Sequence, residues 1–132
     1  MADEPGMIVL VDDDPDFLRI NQSVLEKGGY RVACFSDPLR ALEYMHGNKP
    51  SLVITDLMME RLDSGFTFSK QIKQDALLGD VPVIIVTAIS RERGFDFKPR
   101  TPEDLEAISA DAYLEKPVAP DQLLAKVREL AR

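Results

Sequence analysis

The sequence predicts an α/β fold: a doubly wound, five-stranded parallel sheet in the order 2-1-3-4-5, with helices on both faces. Three observations predict it. Short apolar runs such as Met7–Val11 and Val81–Val86 are continuous rather than alternating, the mark of strands buried on both faces. These runs alternate with segments whose apolar residues recur at helical spacing, the pattern of successive βα units. The chain has 132 residues, the length of one domain. Right-handed crossovers leave few topologies for five such strands, and 2-1-3-4-5 is a common one.

The elements follow in order. Residues 1–6, polar and containing Pro5 and Gly6, are expected to be a flexible N-terminus. Met7 to Val11 is the first strand. Pro15 to Lys27 is the first helix, with Phe17, Ile20 and Val24 on its core face and Gly28-Gly29 as its stop. Tyr30 to Phe35 is the second strand. Asp37 as cap and Pro38 at the first helical position open a helix running to about Met45. Ser51 to Thr55 is the third strand. Phe68, Ile72 and Ala76 mark a third helix that ends before Gly79, and Val81 to Val86 is the fourth strand. Thr101-Pro102-Glu103-Asp104 has the composition of a helix start, giving a fourth helix from about Pro102 to Ser109. Ala112 to Leu114 is the fifth strand. Pro120 to Ala131 closes the chain as a helix with Leu123, Leu124, Val127 and Leu130 along one face.

Composition excludes several classes. One cysteine, Cys34, allows no disulfide framework, and with the single histidine, His46, it allows no Cys/His zinc site. Cys34, mid-strand, reads as a small buried hydrophobe, and His46 as a residue suited to a helix C-terminus. The acidic start (Asp3, Glu4) and the short first apolar run are not those of a signal peptide. The Val81–Ile89 stretch falls far below the ~20 residues of a membrane span. A formal charge of −7 argues against non-specific nucleic-acid binding. The expected location is the cytoplasm, with neither membrane nor nucleic acid as a direct partner.

In this strand order the carboxyl ends of strands one, three, four and five are neighbours, and open α/β sheets place their sites there. The first strand runs into Asp12-Asp13-Asp14, the third into Asp56, the fourth into Thr87 and the fifth into Lys116-Pro117. Asp14, before Pro15, suits a helix cap. Charges such as Asp12 and Asp13 at the end of a buried strand are costly unless used. Clustered carboxylates repel, and a hard divalent cation such as Mg²⁺ relieves them while sharing a phosphate oxygen. A carboxylate beside such a cation can attack phosphorus to give an aspartyl phosphate. The Lys116 ammonium supplies further positive charge, and the Thr87 hydroxyl can donate to a phosphoryl oxygen.

Four segments carry a specific resemblance: Ile8-Val-Leu-Val-Asp-Asp-Asp-Pro15, Leu52-Val-Ile-Thr-Asp-Leu-Met-Met59, Val83-Ile-Ile-Val-Thr-Ala88 and Ala110-Asp-Ala-Tyr-Leu-Glu-Lys-Pro117. Together the chain resembles a response-regulator receiver domain of two-component signalling from Met7 to Arg132, with the flavodoxin-like strand order. The resemblance implies that Asp56 accepts a phosphoryl group from a histidine kinase or a histidine phosphotransfer protein. It implies Mg²⁺ (or Mn²⁺) held by Asp13, Asp56 and the Met58 carbonyl, with Asp12 acting through water. It implies that Thr87, Ala88 and Lys116 contact the phosphoryl group, that the Lys116–Pro117 bond is cis, and that Thr87 and Tyr113 form the switch. The switched face would be the expected 102–109 helix, the fifth strand and the closing helix, acting on a downstream protein partner. Such a domain is not an enzyme in the ordinary sense. Its expected chemistry is self-phosphorylation from a donor and autodephosphorylation.

The sequence departs from the family pattern twice. After the acceptor the family has proline where Glu60 stands, and one extra residue precedes Gly65. The loop beside the metal thereby loses a fixed φ and gains an N–H donor and a carboxylate. The stretch from Thr87 to Lys116 is also longer than usual, leaving an inserted loop at about 90–100. That loop carries four basic and two acidic residues, with Phe95 and Phe97. Its inverted charge and aromatic residues suggest a partner loop using Arg91, Arg93, Phe95 and Phe97. Receivers often form homodimers through the face that the insertion alters. The receiver fold would occupy residues 7–132, leaving no room within these for an output domain.

Competing readings are a haloacid-dehalogenase-like Mg²⁺-dependent phosphatase with Asp12 as nucleophile, and a receiver that docks partners without phosphorylation. The first leaves Asp56 idle, and the second leaves the acidic pocket without a use. A flavin mononucleotide protein is a third reading, but three aspartates after the first strand would repel its phosphate.

Overall fold

The computed structural model describes residues 6–56, 64–87, 110–116 and 118–131, with the backbone alone at 64–67 and Thr87. Its elements are β1 (Met7–Val11), α1 (Pro15–Lys27), β2 (Arg31–Phe35), α2 (Pro38–Gly47), β3 (Leu52–Asp56), α3 (Ser64–Gln74), β4 (Val83–Thr87), β5 (Ala112–Glu115) and α4 (Pro120–Leu130). The five strands form one sheet in the order β2-β1-β3-β4-β5. Every neighbouring pair is parallel. The helix expected at 102–109 and the inserted loop lie outside the described residues.

The apolar runs of β1, β3 and β4 are continuous because each of these strands feeds two cores. On one face Val9, Val11, Val53, Val83 and Ile85 pack with Ala41 and Met45 of α2 and Phe68 and Ile72 of α3. On the other Ile8, Leu10, Leu52, Ile54, Ile84 and Val86 pack with Leu25 of α1 and Leu123 and Val127 of α4. Alternate residues of one strand thus point to opposite layers, as the period of two requires. A full side chain of this kind contributes roughly 1.5–3 kcal/mol when buried, so both layers hold the strand ends firmly in place.

The two helix caps read from sequence that fall among the described residues, Asp14 and Asp37, are present. Asp14 accepts from the Asp16 N–H at 3.0 Å, and Asp37 from the Leu39 N–H at 3.0 Å, each followed by proline at the first helical position. Gly29 ends α1 at φ +98°, a conformation glycine adopts without a Cβ penalty.

Two residues expected in the core, Ile20 and Ala76, lie outside it. Ile20 is 57 % exposed. The face of α1 that packs inward is Phe17, Asn21, Val24 and Leu25, the i, i+4, i+7, i+8 stripe, and i+3 from Phe17 falls outside it. Asn21 is tolerated there because its amide donates to the Phe17 carbonyl at 2.9 Å. Ala76 is exposed in a turn beyond α3, which ends at Gln74. The Asp75 carboxylate accepts from the N–H groups of Leu77 and Leu78 at 2.8 and 3.2 Å, a local bond that competes with helix. Leu78, fully buried, fills the core position instead. The remaining boundaries differ from expectation by one or two residues. The shift in β3 matters, because it makes Asp56 the last strand residue rather than the first of a loop.

Candidate functional site

The strand registers set the site. Val11 pairs with Thr55, so Asp12 and Asp56 follow at the same level on adjacent strands. Asp12 is held by a further ladder bond, its N–H donating to the Phe35 carbonyl at 3.1 Å. Asp56 pairs with Val86, and Thr87 pairs with Glu115, so Thr87 and Lys116 each follow one step beyond. The sheet therefore delivers its carboxyl-end residues to one corner without help from any loop.

Three carboxylates converge there. Oxygens of Asp12, Asp13 and Asp56 lie within 4.8 Å of one another. Asp12 is 0 % exposed and Asp56 7 %, while Asp13 faces solvent. Among the described residues no other group of His, Cys, Asp and Glu meets the geometry of a metal site. Lys116 reaches over from the end of β5. Its Nζ donates to Asp12 Oδ2 at 2.9 Å and stands 3.6 Å from Asp56 Oδ2. The same ammonium lies 4.4 Å from the centre of the Phe17 ring. The other oxygen of Asp12 accepts from the Asp14 N–H at 2.9 Å, which ties the pocket to the cap of α1.

Burial pushes the Asp12 carboxyl above its ordinary 3.8, against the bonds from Asp14 N–H and Lys116. Burial also pulls the Lys116 ammonium down, but the bond to Asp12 and the charges of Asp56, Asp12 and Asp14 outweigh it. Its pKa stands above the ordinary 10.5. The two directions are compatible: one cation gains from several carboxylates, while Asp12 has one cation and the deepest burial of the cluster. The pocket is thus short of positive charge, the condition in which a hard cation bound by carboxylates lowers the energy.

A model of the response regulator receiver domain matches residues 8–128. The chain belongs to this family. It is a receiver domain of two-component response regulators, a signalling domain, and membership disfavours the phosphatase reading. The response regulator Rre1 of Synechocystis sp. is 35 % identical over 130 residues, covering 96 % of this chain and 52 % of that protein. This receiver domain thus spans about half the length of that relative. The N-terminal domain of a response regulator receiver protein from Methanoculleus marisnigri JR1 matches with a TM-score of 0.69 and 34 % identity, covering 96 % of this chain and 98 % of the other. The chemotaxis response regulator CheY4 of Vibrio cholerae superposes with a TM-score of 0.80 at 22 % identity, covering 96 % and 98 %, which shows the shared fold.

Of the residues singled out in the sequence, the receiver domain brings Asp12, Asp13, Asp56 and Lys116 together. Thr87 ends β4 beside them, its backbone alone described. Tyr113 lies on β5 opposite Ile85 and is half-buried, between the inward-facing Ala112 and Leu114 of the α1/α4 layer. Met58, Ala88 and Pro117 lie outside the described residues, as do Glu60, Arg91, Arg93, Phe95 and Phe97. Cys34 is half-buried, its Sγ 3.5 Å from Gln22 Oε1, and burial raises its thiol pKa. His46 meets the Asp75 carboxylate across the α2–α3 layer. Sequence reading missed the contact between Phe17 and Lys116. Phe17 was legible only as a core-face aromatic, and nothing local shows that a residue 99 positions away lies above it. No described helix is long and apolar enough to cross a membrane.

Proposed function

We propose that this receiver domain accepts a phosphoryl group on Asp56 from a histidine kinase or a histidine phosphotransfer protein. The observation that carries the reading is the convergence of Asp12, Asp13 and Asp56 within 4.8 Å, with Lys116 placed between Asp12 and Asp56. An Asp56 carboxylate oxygen forms the new bond to phosphorus, and the phosphorus–nitrogen bond of the donor phosphohistidine breaks. The imidazole nitrogen keeps the electron pair. Such transfer needs positioning and charge neutralisation more than acid–base chemistry.

The donor set fits a hard divalent cation, because it consists of carboxylate oxygens on rigid strand ends. Asp13 and Asp56 would hold Mg²⁺ or Mn²⁺ directly with the Met58 carbonyl, and Asp12 through water. Bound there, the cation would neutralise charge on the phosphoryl oxygens. Lys116 then has a second acceptor within reach, since a turn of its ammonium from Asp12 leads to the Asp56 side. Thr87, Ala88 and Lys116 would surround the phosphoryl group, with Lys116–Pro117 in the cis form, and Thr87 and Tyr113 would carry the change to the face of the expected 102–109 helix, β5 and α4. The receiver would extend over residues 7–132, with the stretch at about 90–100 as an insertion. A downstream protein would read that face, helped by Arg91, Arg93, Phe95 and Phe97. The charge of −7 favours a protein over nucleic acid as the direct partner of this segment. A homodimer through the same face is compatible with the fold.

Incubation with acetyl phosphate and Mg²⁺, followed by intact mass, tests the reading. One phosphoryl adduct is expected, absent without divalent cation and absent in Asp56→Asn. An adduct of equal yield in Asp56→Asn overturns it. Replacing Phe95 and Phe97 together by serine should weaken the downstream partner's binding. Unchanged affinity removes the loop from the account.

A further inference from the structure

We propose that Phe17 is a positioning residue for Lys116: its ring holds the ammonium over the acidic pocket and so sets how fast Asp56 is phosphorylated. The inference rests on the reading of Asp56 as the acceptor. Its observations are separate from that reading.

Lys116 sits on a flexible four-carbon stem, and its value to phosphoryl transfer depends on where its charge is held. Two kinds of contact fix it. On one side are the carboxylates, 2.9 Å to Asp12 and 3.6 Å to Asp56. On another is the Phe17 ring, 4.4 Å from Nζ to the ring centre, within the range of a cation–π contact. With its side chain 23 % exposed, the lysine keeps some access to water, and an aromatic face limits that access.

Phe17 is itself fixed by the pocket. Asp12 Oδ1 accepts from the Asp14 N–H, and Asp14 caps α1. Pro15 opens the helix, which places Phe17 in its first turn, and the buried Asn21 amide donates to the Phe17 carbonyl. The ring packs at the margin of the α1/α4 core. A closed circuit results: Asp12 supports the cap, the cap places Phe17, Phe17 holds Lys116, and Lys116 bonds to Asp12. An aliphatic residue at position 17 would fill similar space and give the ammonium no negative ring face.

Two measurements on Phe17→Leu and Phe17→Tyr test this. The first is the rate of phosphorylation by acetyl phosphate against Mg²⁺ concentration. Phe17→Leu should slow the rate at saturating Mg²⁺ about fivefold, the equivalent of an exposed-to-partly-buried cation–π contact of ~1 kcal/mol. The half-saturating Mg²⁺ concentration should stay within about twofold of the parent, because the carboxylates are untouched. Phe17→Tyr should return the rate to within about twofold of the parent. The second is proton NMR of the metal-free protein. The Lys116 ε-methylene signals should lie upfield through the ring current, keep that shift in Phe17→Tyr and lose it in Phe17→Leu. Phe17→Met serves as a second apolar replacement should leucine disturb the helix. A leucine variant phosphorylated at the parent rate, or a tyrosine variant as slow as leucine, overturns the proposal. A parent that takes no phosphoryl group while the Lys116 shift behaves as expected refutes the acceptor reading instead, and the contact stands without its rate effect.

Discussion

Asp12→Asn alters one atom of a side chain that is 0 % exposed, keeping its shape and removing its charge. In the metal-free protein this should increase stability at neutral pH. Asp12 and Asp56 have oxygens no more than 4.8 Å apart, and two unit charges at that distance repel by roughly 3.5 kcal/mol at an effective dielectric of about 20. Asp13 is exposed, so its repulsion is screened to about 1 kcal/mol or less. Burying the Asp12 charge costs several kcal/mol more. Against this stands the bond from Lys116 at 2.9 Å, a charge-assisted bond with a net value of roughly 1.5–3 kcal/mol. Asparagine loses that bond and turns an amide donor toward the ammonium, which takes back part of the gain, while its oxygen can still accept from the Asp14 N–H. With the burial cost at ~3 kcal/mol and the amide facing the ammonium costing ~2–3 kcal/mol, a net stabilisation of about 2 kcal/mol follows, roughly 6–10 °C in Tm for a chain of this size.

The pH dependence has a definite sign. The folded carboxyl titrates above its ordinary 3.8, so between those two values the folded state binds more protons than the unfolded state. Parent stability therefore falls as pH rises through that window and stays lower above it. Asp12→Asn lacks this component, so its advantage should be largest at neutral pH and shrink toward pH 4. Thermal melts in EDTA across that range measure both quantities. A variant less stable than the parent at pH 7.5, with an unchanged pH profile, would show that the buried Asp12 charge does not destabilise the metal-free fold.

Other outcomes follow from the same contacts. Lys116→Met should cost about 1–3 kcal/mol at pH 7 in urea unfolding, because Asp12 stays buried with one fewer partner. It should also lose the alkaline component: Lys116 titrates above 10.5 when folded, so its contribution is full below that value and lost as pH rises through the folded pKa. Ile72→Ala, at a fully buried site, should cost about 2–5 kcal/mol, while Ala76→Gln in the exposed turn should change stability by no more than ~0.5 kcal/mol. Asp75 titrates below 3.8, chiefly through its bond with His46 and then the Leu77 N–H. His46→Asn should raise it toward 3.8 in a carboxyl NMR titration, and the component of stability lost as pH falls through the Asp75 titration should shrink.

The site was legible because it is built from strand ends. Once the apolar runs fix five parallel strands and their order, Asp12, Asp56, Thr87 and Lys116 have almost no freedom in where they emerge. Register supplied the rest, down to Asp56 closing β3 instead of opening a loop. Helix faces were less legible. Spacing alone does not separate i+3 from i+4, so it points Ile20 inward where Asn21 packs, and a polar Asn is readable there only with its bond to the Phe17 carbonyl in view. Ala76 fitted the helical period, but the Asp75 side chain offered its neighbours a competing bond. Contacts between distant segments left no local trace. Lys73 donates to Asp111 at 2.6 Å, and Asp111 also accepts from the Val83 N–H at 2.8 Å, clamping β4 and the approach to β5 at the end of the sheet away from the acidic pocket. The His46–Asp75 and Phe17–Lys116 contacts are of the same kind.

One particular carboxylate in this pocket, that of Asp56, is proposed to accept phosphorus. Borohydride reduces an acyl phosphate to an alcohol, so it converts a phosphorylated aspartate to homoserine at the residue that carried it. Treating the protein with acetyl phosphate and Mg²⁺, reducing, digesting and sequencing the peptides by mass spectrometry reads the position directly. Homoserine at position 56, dependent on Mg²⁺ and missing when the donor is left out, is the predicted result. Homoserine at position 12 or 13, or donor-dependent label on a residue outside the pocket, would contradict the account.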